Sequence, residues 1–263
     1  MTGLIKKMLV IRNKVSRSYS GRHSVVLMFG FFFIQLITGS IIFFARGFLL
    51  GLLQSNRHNW HLQPPGPHLI TIVVVISYLI SAAWSFWYLC QFTAVSFWKG
   101  SLESIGFAPA PKIAFFLSVM LSVVTTIVAG LFFHFRPPTP NQSQGLSSFR
   151  AMMTPGWPLV VSLSMIVIVA PLTEEFVFRG GGIAGLIRPS SKIRSAVIVT
   201  IIFVLIHAPQ KIHYLAGFID LTLFAAGAVW LRVYYKSLWP SIVLHVLYNI
   251  GIILDAAIIL QYR

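Results

Sequence analysis

The sequence predicts an all-α fold, a polytopic transmembrane helical bundle of seven or eight spans, and three observations predict it. Of the 263 residues, 57% are hydrophobic and only 10% are charged, where a soluble domain carries about a quarter charged residues. So few charges cannot cover a surface facing water. The mean hydropathy is +0.83, and the apolar residues gather into runs near the roughly 20 residues needed to cross the hydrocarbon. No alternating barrel pattern is present, which leaves helices as the structure that satisfies its own backbone in lipid.

The elements follow in order. Residues 1–23 are basic, with Lys6, Lys7, Arg12, Lys14, Arg17 and Arg22 ahead of the first apolar run. That run, Ser24 to Ala45, is too long for a signal-peptide core and shows no small-residue cleavage site, so it reads as a retained span. Further spans are expected at 69–98, 113–135, 158–179, 195–213, 214–235 and 239–260. The second is long enough to tilt or to hold two pieces, and 195–235 admits another division, hence an eighth helix. The stretches Gln54 to His68 and Arg136 to Pro158 are rich in Pro and Asn and read as loops. His58, His61 and His68 fall in the first of them, with irregular spacing that suits a solvated loop better than a metal site.

The net charge is +15, but the basic residues lie between apolar segments and form no soluble basic module. We therefore expect a lipid bilayer as partner and no nucleic acid. With seven spans and the N-terminus inside, Lys99, Lys112, Arg188, Lys192, Arg194, Arg232 and Lys236 join the six N-terminal cations on the inner side. Only Arg46, Arg57, Arg136, Arg150, Lys211 and Arg263 fall outside. This asymmetry predicts a cytoplasmic N-terminus. Short loops and the lack of a targeting peptide point to a bacterial plasma membrane. Cys90 is the single cysteine, which excludes an intrachain disulfide and a multi-cysteine metal site.

The chain has five acids: Glu103, Glu174, Glu175, Asp220 and Asp255. Two of them, Glu174 and Glu175, stand side by side in an apolar run, where each costs on the order of 3 kcal/mol at a helix centre. Glu175 and Arg179 are four apart and can pair on one face. Glu174 is turned about 100° away, without that partner and free for acid–base work. Pro171 precedes the pair and removes a backbone hydrogen bond. Gly180, Gly181 and Gly182 follow it and either permit close approach or end the helix. Two later spans again carry side chains four apart, Phe203 with His207 and His245 with Asn249. Phe203 reads as packing beside the site, and Asp220 and Asp255 as helix-end or interfacial. Two carboxylates, two imidazoles, a carboxamide and a guanidinium from three helices make an active-site inventory.

These residues carry a family resemblance. EEFVFR fits EExxxR, FVLIH fits FxxxH and HVLYN fits HxxxN, in that order, with SLWP before the third. The three motifs resemble those of the CPBP intramembrane proteases (the Abi family), which include the type 2 CAAX prenyl protease and bacteriocin-processing enzymes. The resemblance covers about residues 158–250, and residues 1–150, with N-terminal transmembrane helices at 24–150, match only as generic spans. It implies a catalytic CPBP-like core at 151–263 and an endopeptidase acting on a membrane-associated protein or peptide. In that reading Glu174 activates water with help from His207, His245 and Asn249 stabilise the oxyanion, and Glu175 and Arg179 orient the site. No cofactor is expected. Zinc on Glu174, His207 and His245 is the alternative, although the HExxH spacing of zinc proteases is absent. Two other functions stay open at this point: a proton-coupled transporter, against which no inverted repeat is found, and a catalytically silent membrane scaffold or immunity protein.

Overall fold

The computed structural model describes residues 19–54, 65–92, 102–136, 153–187, 191–211 and 217–261. His58, His61, Trp98 and the N-terminal cations before Tyr19 lie outside them. Gly21–Gln54 forms α1, Pro67–Phe92 α2 and Lys112–Phe135 α3. Trp157–Leu186 is one continuous composite helix, α4. Lys192–Ile206 forms α5, Gly217–Tyr235 α6 and Trp239–Gln261 α7.

Among the described residues six helices are long and apolar enough to cross a membrane, making this a multi-pass integral membrane protein. The expected span at 195–213 is not among those six, because α5 has only 15 residues. That is about 22 Å of helix against roughly 30 Å of hydrocarbon. Pro209 accounts for the stop: it has no N–H for the carbonyl of Leu205, and its ring crowds that carbonyl. The helix closes instead at His207, whose backbone N–H turns back to Leu205. At its other end Ser191 caps α5 through a bond from the Arg194 N–H, 3.2 Å long.

The triple glycine does not end α4 but lies inside it. Two π-helical stretches interrupt that helix, Met165–Val169 and Glu175–Gly182. Ala170 donates its N–H five residues back to Met165, and Ile183 reaches back to Phe178. Pro171 has no N–H for the carbonyl five residues before it, that of Ile166. Wider turns of this kind leave carbonyls that other helices must satisfy. Arg232 on α6 donates to the Arg179 carbonyl at 3.0 Å. Tyr19 and Ser24 donate to Gly181 at 3.1 and 3.0 Å, and burial pushes the Tyr19 phenol up, keeping it a donor.

Close packing then sets the layers. α1 and α2 pair on one side of α4, and α1 lies against its second π turn. On the other side α6 packs on α3, α5 and α7, while α3 and α7 run together. Small residues make these approaches possible: Gly30 under Trp84, Gly251 against Thr126, and Gly185 against Ser24 and Ser20. A Cβ on Gly185 would collide with the Ser24 hydroxyl and stand 2.7 Å from the Ser20 carbonyl oxygen. Gly185→Ala is therefore expected to destabilise the protein by about 1–3 kcal/mol. Gly47→Ala, where a Cβ meets nothing within 4 Å, should not. Thermal unfolding of both variants in detergent micelles checks the difference.

Candidate active site

Glu174 and Glu175 lie where the second α segment of α4 passes into its second π turn. His207 is the residue at which α5 ends, and His245 lies on α7 one turn before Asn249. The fold brings the first four together. Glu174 Oε2 lies 3.8 Å from His207 Nε2 and 3.8 Å from His245 Nε2. The other edge of His245 is held by Glu175, with Nδ1 2.9 Å from Oε1. The same Glu175 oxygen accepts from Arg179 at 3.0 Å. The two adjacent carboxylates thus face the two nitrogens of one imidazole, one within hydrogen-bond distance and one 3.8 Å away.

Hydrogen bonding assigns the tautomers. His207 Nδ1 lies 2.8 Å from the Phe203 carbonyl, so Nδ1–H donates there and Nε2 presents a lone pair toward Glu174. The four-residue spacing of Phe203 and His207 is what makes this bond. Phe203 also does more than pack. Its ring lies under the Arg179 guanidinium at 4.2 Å, and Phe224 lies 5.6 Å away. Arg179 and Glu175 are completely buried, which makes aromatic faces suitable company for the cation. Phe224 stacks in turn on Tyr248 and touches the His245 ring at 4.6 Å between centroids.

Asn249 is engaged one turn away. Its Nδ2 donates to the Ile166 carbonyl at 2.7 Å, the carbonyl that Pro171 leaves without a donor. One amide hydrogen is thereby committed to the helix. Asp220 lies at a helix end, as one of its two expected placements had it, in the first turn of α6. It is buried on α6, accepts from Tyr248 at 2.6 Å and faces Lys211 at 3.9 Å. Asp255 lies on α7 beside Gly130. His68 packs near Trp157.

Three participants carried no motif: Tyr78, Phe224 and Arg232. Tyr78 on α2 reaches Glu174 Oε1 at 3.3 Å. The polar character of Arg232, in an otherwise apolar span, was its one visible signal.

A polytopic bundle thus holds a Glu–Glu–His–His cluster between its helices. Residues 155–251 match the family model for type II CAAX prenyl endopeptidase, Rce1-like. That match holds all three motifs and supports membership of the CPBP family. No curated protein and no solved structure matches the chain.

Proposed function

We propose that the protein is a glutamate-type intramembrane endopeptidase acting on a peptide or membrane protein. One observation supports this most: a single carboxylate oxygen faces two imidazole Nε2 atoms at 3.8 Å each. That gap suits a water molecule bound between base and imidazole. In the proposed reaction Glu174, with His207, takes a proton from water as its oxygen attacks the peptide carbonyl carbon. The charge developing on the carbonyl oxygen is met by the Nε2–H of a protonated His245, whose Nδ1–H is braced by Glu175, and by the second amide hydrogen of Asn249. Collapse breaks the C–N bond, and the proton held by Glu174 passes to the leaving amine. The N-terminus lies in the cytoplasm of a bacterial cell in this reading.

Zinc would need Glu174, His207 and His245 as ligands. Two ligands on a tetrahedral zinc are about 3.3 Å apart, closer than the 3.8 Å found here. Among the described residues no group of three such side chains is placed to hold a metal. The reading uses no metal and gives these residues proton transfer and hydrogen bonding instead.

The test is peptide cleavage by purified protein after exhaustive chelation. Activity should persist. Loss on chelation with recovery on stoichiometric zinc would replace the mechanism and keep the protease. His245→Ala and Asn249→Ala should each lower kcat by roughly 10²–10³, with a smaller change in KM. Asn249→Ala should also lower the unfolding temperature, because the Ile166 carbonyl loses its donor. A protein that moves protons and cleaves nothing would be the transporter instead.

A further inference from the structure

The geometry points to Tyr78 as a positioning residue of this site, holding Glu174 so that one carboxylate oxygen is tied back while the other faces the histidines. The inference rests on the protease reading above. Tyr78 lies on α2, outside the family-matched residues 155–251 and outside all three motifs. The N-terminal part of the chain would thereby complete the active site.

The Tyr78 hydroxyl lies 3.3 Å from Glu174 Oε1 and 3.2 Å from the Ala170 carbonyl oxygen. The side chain is 7% exposed, so water competes poorly for the same carboxylate oxygen. The ring is fixed edge-on to Phe31, with centroids 5.4 Å apart. The two oxygens of Glu174 therefore have separate partners, Oε1 the phenol and Oε2 the two imidazoles. A carboxylate free to turn about its last torsion would spread its basic lone pairs over many directions. One bond from a rigid, buried donor removes that freedom, and rates depend steeply on such alignment.

The second acceptor adds to the argument. A phenol has one hydrogen to donate, and here two acceptors lie one helical turn apart on α4. While Glu174 is ionised, the charge-assisted bond to Oε1 is the stronger. Once Glu174 has taken the proton from water, that advantage ends. The hydroxyl hydrogen then turns to Ala170 by rotation about the C–O bond alone. Passing the proton to the leaving amine restores the first bond. The donor follows the protonation cycle of the base without moving a heavy atom.

Tyr78→Phe in the full chain, reconstituted in lipid nanodiscs, tests this. Hydrogen bonds to charged groups have strengths corresponding to a kcat fall of roughly 10- to 100-fold. KM should stay within about twofold. Tyr88→Phe, a hydroxyl deletion on the same helix without contact to Glu174, should leave both constants unchanged. Infrared spectra of ¹³C-glutamate-labelled protein give a readout independent of turnover. Tyr78→Phe should shift a carboxylate band, and the shift should vanish in a Glu174→Gln background. A retained kcat overturns the proposal, as does a lost kcat without the band shift. If the wild-type protein cleaves no peptide, the protease reading fails by itself, and an unshifted band then overturns the hold of Tyr78 on Glu174. Should Tyr78→Phe not fold, 3-fluorotyrosine at position 78 keeps the packing with a stronger donor. The band should then move in the opposite direction, and an unmoved band overturns the proposal.

Discussion

Glu174→Gln is expected to reduce peptide cleavage by about 10²–10⁴-fold, the usual contribution of a general base, while the protein stays folded. The reason lies in the hydrogen bonds around the side chain. Gln keeps the length of Glu, and its carbonyl oxygen can still accept from Tyr78, 3.3 Å from Oε1. Its NH2 then faces the two Nε2 atoms that stand 3.8 Å from Oε2. Of these, the His207 nitrogen carries a lone pair. The amide thus has an acceptor beside it, and stability should be preserved. Only the ability to take a proton is lost. Cleavage of a labelled membrane peptide, measured beside thermal unfolding, checks both halves. Full activity in Glu174→Gln would remove the catalytic assignment. Wild-type protein that is folded and inactive toward every peptide tried would favour the silent scaffold.

Much of the site was legible because it is written in local spacing. Glu175 with Arg179, Phe203 with His207 and His245 with Asn249 are each four apart, and each places two side chains on one helical face. What the spacing could not show is which partner each group takes across the bundle. Asn249 donates to Ile166, 83 residues away, because Pro171 strips that carbonyl of a backbone donor, a coupling of two helices that neither motif contains. Tyr78 stands 96 residues from Glu174 in a run of apolar residues, and nothing in its neighbourhood marks it apart from other membrane tyrosines. The expected span at 195–213 differs from α5 for another reason. Pro209 was there to be read, but a hydropathy window continues through a proline inside an apolar run. The polar load on α4 was plain, whereas its two π turns depend on donors supplied from α1, α6 and α7.

Glu175→Gln should be the most destabilising of the site substitutions, by about 3–5 kcal/mol. Glu175 and Arg179 are both fully buried, and the guanidinium has few other anchors. One nitrogen bonds Glu175 at 3.0 Å, another reaches the Ala225 carbonyl at 3.4 Å, and Nε has no partner. The faces of Phe203 and Phe224 do not supply a counter-charge. Neutralising Glu175 therefore strands a cation in a medium that solvates it poorly, which costs far more than the net worth of the pair. The same substitution takes the carboxylate away from His245 Nδ1, 2.9 Å away, so cleavage should fall as well. Arg179→Met alone should cost less, because the Glu175 carboxylate keeps its bond from His245. The double variant Glu175→Gln with Arg179→Met should recover part of the stability lost in Glu175→Gln, since removing both charges of a buried pair is often nearly neutral. It should not recover activity, because His245 still lacks its carboxylate. Unfolding in detergent micelles for the three variants, with cleavage rates on the folded fraction, separates the two roles. Unchanged stability of Glu175→Gln would show that Arg179 is solvated by something other than the glutamate. Recovered cleavage in the double variant would show that Glu175 serves the arginine alone and that His245 works without it.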